Sequence, residues 1–408
     1  MSSPARVLAI GTVYPPHHLG GYEIIWRGVM GHLREQGHLT RVLVTGHRQP
    51  EVPAYAEEDP GVYRELEWYW SEHRWRSLSL RARLGLERRN ASRFDHHVRE
   101  LRPEVIAWWP VGGLSLSLIE RARRAGIASV LFVLDPWLSY GRERDLWLRT
   151  CARLGPAAKV MGRLSGVPAG VDWSGAGRWV FCSETMRRNT AAAGLRLPAG
   201  VILRPGVERC LLALPPEAVA PPWRWRLLYL GRVVEQKGVA TAVAALSRLP
   251  PEARLTVVGD GDAPYRRHLE RLATRLGVRE RVHLRGPCAR AELPVLLRSS
   301  DAVVFPVQWP EPWGLVPLEA MAAGRPVIAT GAGGSGEYLV DERNSLLFTA
   351  GDAEALAARV QRLAADSGLR ERLRAGGLAT ANAHTAEAFN RQAADEILAA
   401  AKAPRPPR

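Results

Sequence analysis

Two glutamates in the second half of the chain could bind a sugar. Glu311 and Glu319 lie eight positions apart in EPWGLVPLE, on either side of a glycine-containing turn, and Glu319 opens a helix-like stretch that continues as AMAAG. Each ionised carboxylate can accept hydrogen bonds from sugar hydroxyls. The start of a helix also exposes unpaired N–H donors that suit phosphate. The pattern predicts a phosphorylated sugar such as a sugar nucleotide; helix capping by glutamates is the alternative, and the spacing leaves both open.

A cationic pair precedes these glutamates. Arg232 and Lys237 lie five positions apart in LLYLGRVVEQKG, directly after a predicted strand. Arginine offers a planar fork of donors and lysine a mobile charge, so the two together suit a diphosphate. Ligands of open α/β sheets bind at the carboxyl ends of strands, which favours this function over that of two solvated surface cations.

Two glycine-rich loops are further candidates. Residues 331–336 follow the predicted strand RPVIAT and contain four glycines, whose N–H groups could surround an anion. In YPPHHLGGYE, Gly20 and Gly21 lie between the first strand and its helix, and His17 and His18 share that loop.

An aspartate pair in VVGDGDAPY has the form of a cation site. The glycines around Asp260 and Asp262 favour a tight turn instead, with acidic residues that stabilise the following helix start. We therefore predict no metal site.

The elements that position these residues alternate between short apolar runs and amphipathic stretches, which is typical of parallel α/β sheets. Six runs in the first half predict strands: RVLAIGTVY, TRVLVTG, EVIAWWP, ASVLFVLD, RWVFCS and GVILRPG. Six runs in the second half do so as well: LLYLGR, ARLTVVGDG, VHLRG, AVVFP, RPVIAT and NSLLF. We predict two doubly wound, Rossmann-like α/β domains that face each other across a central cleft.

The predicted boundary is a proline-rich segment from about Cys210 to Trp225. It separates a first domain of residues 1–210 from a second domain of residues 211–385. Residues 386–401 predict a closing helix that packs back towards the first domain, and residues 402–408 predict a disordered tail.

The composition is that of a globular protein with a strong positive charge. Of 408 residues 46% are hydrophobic, and the formal net charge is +15, although lysine occurs only at positions 159, 237 and 402. This charge favours anionic partners such as nucleotides, nucleic acid or an acidic membrane surface. No apolar run suits a signal peptide or a membrane span, and the four separate cysteines favour buried thiols. We expect a cytoplasmic protein.

Taken together, these motifs resemble the retaining glycosyltransferases of the GT-B fold, in particular family four, the glycosyl transferases group 1. LGRVVEQKG, VVGDGDAPY, AVVFP, EPWGLVPLEAMAAGRPVIAT and GGSGE occur in that family's order, and the likeness is strongest between Leu227 and Ala375. The resemblance implies transfer of a sugar from a nucleotide-diphosphate donor, favouring a uridine-linked one, to a hydroxyl acceptor with retention of the anomeric configuration. It implies neither a metal nor a cofactor.

The resemblance also implies roles for individual residues. Arg232 and Lys237 would hold the diphosphate and stabilise the charge that develops on it. Glu319 would bind the ribose hydroxyls, and Glu311 would position the donor sugar. The remaining donor contacts would come from Gly21 and from the backbone N–H groups of Trp313, Gly314, Leu315 and Val316.

Acceptor recognition would fall to the first domain. Many family members have a histidine where this chain has Leu134, so Asp135 or a loop histidine would replace the lost contact. A strand-end cap is the other interpretation of Asp135. The acceptor-binding candidates are His17, His18, Asp135 and Trp137.

Residues 64–102 are rich in arginine and aromatic side chains. Tryptophans at positions 68, 70 and 75 could stack on an acceptor or dock at a membrane interface. We favour core packing beneath a basic helix, although the positive charge permits peripheral contact with the inner face of a membrane.

Two other classes of protein remain as alternatives. A sugar-nucleotide epimerase or hydrolase on the same fold would need no acceptor. A basic nucleic-acid-binding protein is disfavoured, because the chain has no helix-turn-helix, zinc or single-strand-binding signature. The acceptor itself (a sugar, a glycolipid or a small molecule) is not specified by the sequence.

Overall fold

The computed structural model describes residues 3–18, 20–49, 59–71, 74–195, 197–212 and 222–403. The chain forms two compact units: the first comprises Met1–Leu203 and Phe389–Arg408, and the second comprises Arg204–Ala388. Each unit has its own parallel sheet and core, as is common for a chain of this length.

The sheet of the first unit has seven parallel strands. They are β1 (Arg6–Ile10), β2 (Leu39–Thr45), β3 (Val62–Leu66), β6 (Val105–Trp108), β7 (Ala128–Val133), β8 (Arg178–Phe181) and β9 (Val201–Ile202). Their order is β3-β2-β1-β6-β7-β8-β9, and the antiparallel pair β4 (Trp70–Ser71) and β5 (Arg74–Trp75) lies outside this sheet. The strand order reverses between β1 and β6.

Eight helices of the described chain accompany this sheet. They are α1 (Tyr22–Glu35), α2 (Leu80–Leu101), α3 (Ser117–Arg124), α4 (Trp137–Arg144), α5 (Leu146–Leu154), α6 (Ala157–Ser165), α7 (Glu184–Ala192) and, from Phe389 onward, α15 (Ala386–Lys402). Side-chain caps begin three of them, since Ser79, Asp145 and Ser183 accept the N–H of a residue in the first turn of α2, α5 and α7.

The second unit has a parallel sheet of six strands. They are β10 (Arg226–Leu230), β11 (Arg254–Val258), β12 (Val282–Gly286), β13 (Ala302–Phe305), β14 (Val327–Ala329) and β15 (Leu346–Leu347), in the order β12-β11-β10-β13-β14-β15. The helices are α8 (Arg209–Leu212), α9 (Val239–Leu246), α10 (Ala263–Arg275), α11 (Leu293–Ser299), α12 (Leu315–Ala322), α13 (Ala353–Ala365) and α14 (Ser367–Ala383). Short 3-10 turns include Glu235–Lys237 and Gly334–Glu337.

The structure confirms the twelve predicted strands and the α/β class. It adds three strands that the sequence did not indicate, β3, β4 and β5. The strand β3 lies at the edge of its sheet and is mostly half-buried, so its residues VYREL lack the continuous apolar run of a central strand. The strands β4 and β5 are too short to show a period.

The boundary between the units lies earlier than predicted. The first unit ends at Leu203 rather than at residue 210, because the segment after β9 packs on the second unit. The backbone N–H of Val207 donates to the carbonyl of His384 at 2.9 Å, and a Cβ at Gly206 would lie 2.3 Å from the same carbonyl oxygen. Residues 213–221 of the predicted linker lie outside the described residues.

The end of the chain also differs from the prediction. The second unit ends at Ala388, and α15 extends through Lys402, which the sequence places in the tail. The helix packs within the first unit, where Arg178 donates to Glu396 at 2.6 Å. Residues 404–408 lie outside the described residues.

The cysteines are only partly as expected. Cys151 and Cys182 are buried, but Cys210 is exposed and Cys288 is half-buried, and all four are free thiols. In the portion of the chain that the structure describes, no helix combines the length and the hydropathy needed to cross a bilayer.

Candidate active site

The second sheet reverses its strand order at β10. From β10 the chain continues to β11 and β12 on one side, and it then returns to β13, β14 and β15 on the other. Such a reversal leaves a crevice at the carboxyl ends of the two central strands, where open α/β sheets bind ligands. Arg232 and Lys237 lie in the segment after β10, and Glu311 lies in the segment after β13. The topology thus brings together the cationic pair and the first candidate carboxylate.

Lys237 and Glu311 form a nearly buried ion pair. The Nζ of Lys237 donates to Oε2 of Glu311 at 2.6 Å, and the two side chains are 12% and 11% exposed. The indole N–H of Trp309 donates to the same oxygen at 2.8 Å, and the Trp309 ring lies 5.5 Å from the Nζ. Two donors therefore converge on one carboxylate oxygen and fix its orientation.

Two glycines allow the surrounding loops to approach closely. A Cβ at Gly238 would lie 1.8 Å from the carbonyl oxygen of Pro306, and a Cβ at Gly333 would lie 2.4 Å from the backbone nitrogen of Glu311. Both glycines have a positive φ, 71° and 72°, which other residues adopt only with strain. The loops after β10, β13 and β14 are thus tied together around Glu311.

Lys237, Glu311 and Arg232 together carry a net positive charge. Burial lowers the pKa of the Lys237 ammonium; the Glu311 carboxylate opposes this effect, and the nearby charge of Arg232 adds to it. Arg232 is exposed, and no carboxylate of the described residues pairs with its guanidinium. The end of β10 therefore suits a further anion.

Glu319 lies in the second turn of α12. The helix begins at Leu315, so the prediction that Glu319 opens the helix is wrong. The Oε1 of Glu319 accepts from Arg290 at 2.6 Å, and Arg290 also donates to Glu208 at 2.7 Å. Burial alone would lower the pKa of Arg290, but the two carboxylates outweigh it and raise that pKa. Within the described ranges Oε2 of Glu319 has no hydrogen-bond partner.

Tyr338 lies close to both candidate carboxylates. Its ring is buried, and its hydroxyl donates to the carbonyl of Gly314. Burial raises the pKa of the Tyr338 phenol, and the charges of Glu311 and Glu319 raise it further. Since both carboxylates act on one phenol, they lie in the same region of the second unit.

The start of α12 exposes backbone donors in this region. Leu315 and Val316 are partly exposed, and their N–H groups have no acceptor among the described residues. Helix N-termini of this kind suit anions. Trp313 is buried, and its indole N–H donates to the carbonyl of Pro205 at 2.8 Å. Its side chain therefore holds the loop in place.

Sequence reasoning missed Trp309, Arg290 and Tyr338. Trp309 lies two residues before Glu311, and Arg290 follows β12, so their positions at strand ends were a usable signal. Tyr338 had no such signal, because its contact with α12 arises only from the folding of the glycine-rich loop.

In the first unit, the loop after β1 contains three of the candidates. His17 is buried, and its Nδ1 accepts the backbone N–H of Gln49 at 3.1 Å. The side chain of His18 is exposed, and Gly21 is exposed at the start of α1. His18 and Gly21 are thus accessible to a ligand, whereas His17 mainly holds the loop.

Asp135 and Trp137 differ in their accessibility. Asp135 is half-buried; it accepts the hydroxyl of Tyr140 at 2.8 Å and the backbone N–H of Trp137 at 3.2 Å. Trp137 is fully buried, and its indole N–H donates to the carbonyl of Phe132 at 3.0 Å. The structure therefore contradicts Trp137 as an acceptor-binding residue, because its ring belongs to the core.

The remaining aromatic and acidic candidates have mixed outcomes. Trp68 is buried, in agreement with the favoured interpretation of core packing, but Trp75 is 37% exposed. The side chain of Asp260 accepts the backbone N–H of Gly261 at 2.8 Å, in a segment where Gly261 forms an isolated bridge with Val233. Asp262 occupies the cap position of α10 without a side-chain capping bond, so its expected helix-stabilising contact is not formed.

Comparison with known proteins defines the class of this fold. The chain superimposes on sucrose-phosphate synthase from Thermosynechococcus elongatus with a TM-score of 0.70 and 21% identity, over 96% of this chain and 98% of that one. Anabaena HepE in complex with UDP gives a TM-score of 0.67 and 20% identity, over 97% of this chain and 100% of that one. The two Rossmann-like units have the GT-B fold of glycosyltransferases.

The sequence comparisons match the second unit. Residues 216–379 match the family described as Glycosyl transferases group 1. The D-inositol 3-phosphate glycosyltransferase of Xylanimonas cellulosilytica is 41% identical over 155 residues, which are 38% of this chain and 37% of that protein. The matched region spans between 37% and 48% of the length of the first four curated relatives.

Proposed function

We propose that the protein is a retaining, metal-independent glycosyltransferase. It moves a sugar from a nucleotide-diphosphate donor, with a uridine-linked sugar as the donor to test first, to a hydroxyl acceptor. The observation that carries this proposal is the Lys237–Glu311 pair at the strand-order reversal of the second sheet, beside the exposed Arg232. Relatives of the matched region, such as the Xylanimonas enzyme, are glycosyltransferases by name.

The donor-binding role rests on the distribution of charge. A diphosphate would bind Arg232 and Lys237, which supply positive charge where a metal would otherwise be needed. The N–H groups of Leu315 and Val316, which have no acceptor among the described residues, would add hydrogen bonds to its oxygens. The Oε2 of Glu319, likewise without a partner in the described part of the chain, would accept a ribose hydroxyl.

The chemical step follows from the same residues. The bond between the anomeric carbon and the diphosphate oxygen breaks, and the acceptor oxygen forms its bond on the same face of the sugar. The acceptor proton passes to the departing diphosphate. Arg232 and Lys237 stabilise the charge that develops on the diphosphate, and Glu311, held by Lys237 and Trp309, positions the sugar.

Acceptor recognition is assigned to the first unit. The accessible candidates there are His18 and the half-buried Asp135. Asp135 can accept a hydrogen bond from an acceptor hydroxyl, as it does from Tyr140.

Ligand-dependent thermal unfolding tests the donor proposal, because a ligand that binds the native state raises its melting temperature. Uridine, guanosine and adenosine diphosphate sugars should be compared, and at least one should stabilise the protein. Lys237→Ala and Glu319→Ala should each lose most of that stabilisation. Glu311→Gln should retain it but turn over more slowly, measured as a lower rate of nucleoside diphosphate formation in the presence of an acceptor.

Asp260→Asn is the matched control, because Asp260 also follows a strand of the second sheet, but among the described residues its side chain accepts only the backbone N–H of the adjacent Gly261. It should respond to the donor as the unaltered protein does. Failure of all three sugar nucleotides to stabilise the protein, or equal stabilisation of Lys237→Ala, contradicts the proposal.

A further inference from the structure

The hairpin of α5 and α6 in the first unit presents apolar side chains to solvent. Leu154, Val160 and Leu164 are 42%, 57% and 81% exposed. Val160 and Leu164 are one helical turn apart, so they form a single ridge on α6. Ala158, on the other side of α6, is buried against Trp147 of α5 in a small core. The ridge therefore lies on the outer face of a packed hairpin.

The same hairpin carries only positive charge. No acidic residue occurs between Asp145 and Asp172, and Asp145 itself is fully buried. The cations in this interval are Arg149, Arg153, Lys159 and Arg163. All four side chains are exposed, and none forms an ion pair with another described residue. The hairpin therefore has no anionic partner of its own.

A groove beside α6 extends the positive surface. Its volume is about 300 Å³, and Ser165 and Gly166 at the end of α6 line it together with Arg88, Arg99, Arg121 and one carboxylate, Asp95. The guanidinium of Arg121 is paired with Asp95, but that of Arg99 has no ion pair within the described ranges. The cationic surface thus continues from α6 onto α2.

We propose that this hairpin docks the first unit on a lipid bilayer that contains anionic headgroups. Val160 and Leu164 enter the interface, and the four cations contact the headgroups. Amphipathic helices with basic residues beside exposed apolar ones bind bilayers in this way, because long basic side chains reach the headgroups while their stems lie on apolar surface.

Two other occupants fit the surface less well. A nucleic acid would use the cations, since phosphate contacts dominate its affinity, but it would not require an exposed leucine and valine. A second copy of the chain would bring the same unpaired positive charges together, which opposes association. The bilayer is the partner that uses both the ridge and the charge.

Flotation with vesicles tests the proposal on the full-length protein. Phosphatidylcholine vesicles should be compared with vesicles in which about a third of the lipid is phosphatidylglycerol, and only the anionic vesicles should carry the protein. Val160→Ser/Leu164→Ser should weaken binding about tenfold or more through loss of apolar burial. Lys159→Glu/Arg163→Glu should weaken it about 25-fold or more, since each cation near an anionic surface contributes about fivefold.

Matched controls come from exposed residues of the second unit. Val295→Ser removes an apolar side chain that is 71% exposed, and Arg267→Glu/Arg271→Glu makes the same charge change on α10. Both controls should bind vesicles as the unaltered protein does, and equal melting temperatures show that the hairpin variants remain folded.

Several results would overturn the proposal. They are absence of binding to anionic vesicles, equal binding to neutral ones, and loss of binding in the controls as large as in the hairpin variants. Binding that depends on the cations but not on the ridge indicates a purely electrostatic partner such as nucleic acid. A dimer in solution that Val160→Ser/Leu164→Ser dissociates indicates a second copy instead.

Discussion

Removal of the Lys237 charge should destabilise the second unit measurably. Lys237→Met leaves the Glu311 carboxylate, which is 11% exposed, with the indole N–H of Trp309 as its remaining side-chain donor. Loss of one partner from a buried ion pair costs about 3–5 kcal/mol. Because this pair keeps some contact with water, we expect about 2–4 kcal/mol. For a unit of this size, that corresponds to a melting temperature lower by about 5–15 °C in calorimetry.

A double variant separates this ion-pair effect from simple loss of packing. Lys237→Met/Glu311→Gln leaves no buried charge, so we expect it to recover about 1–3 kcal/mol relative to the sum of the single variants. Arg362→Met is the control: Arg362 pairs with Glu342 on the surface of the same unit, and its loss should cost less than about 1 kcal/mol. Additive losses in the double variant, or equal losses in the control, would refute the argument that the pair is electrostatically coupled.

Three further predictions concern pH and backbone geometry. Burial lowers the pKa of Lys237 below 10.5, the ordinary value for lysine. The Lys237 ammonium should therefore lose its proton, and donor affinity should fall, at a lower pH than an exposed lysine would give. Titration calorimetry across pH should show this fall, and Lys237→Arg should remove it. Gly333→Ala should lower the melting temperature, because its Cβ would meet backbone at 2.4 Å with φ at 72°; Gly170→Ala, where a Cβ meets nothing within 4 Å, should not. In the first unit, burial raises the pKa of Glu87, and burial together with the Glu87 charge raises the pKa of Asp145 to about 8. These carboxyl groups hold protons in the folded state that the unfolded state releases near its ordinary pKa of about 4, so stability should decline as pH rises from there towards 8. Glu87→Gln should flatten that decline in melting temperatures measured from pH 5 to 9, and an unchanged or steeper decline contradicts the assignment.

The fold was predictable because its central strands are buried on both faces. Such strands must be continuous apolar runs, and turn residues end each of them, so the pattern is visible without tertiary information. The sequence does not predict the edge strand β3, because only Leu66 among its residues is buried and the strand therefore lacks an apolar run. The domain boundary was displaced for another reason: the prolines mark a segment after the boundary, whereas packing of Val207 against His384 decides to which unit the preceding residues belong.

The candidate site was predictable only where chemistry coincides with a strand end. Lys237 and Glu311 were found because each follows a strand and the sheet topology then brings them together. Tyr338 contacts the site through tertiary packing that no local pattern reports, since its hydroxyl meets the carbonyl of Gly314 only once the glycine-rich loop has folded. The sequence places the helix containing Glu319 too late, because the alanine-rich run AMAAG indicates a start at Glu319, whereas Gly314 ends the loop and Leu315 begins the helix.

The same relation between topology and chemistry refines the assignment in the first unit. The strand order of that sheet reverses between β1 and β6, so the loop after β1, with the exposed His18, lies at the position that ligands favour. Tyr22 begins the following helix; burial raises its pKa, and the charges of Glu23 and Asp135 raise it further. Asp135 therefore lies near the start of α1. Trp137 is only two residues further along the chain, but it begins α4 and its ring turns into the core, because a helix start places neighbouring side chains on different faces.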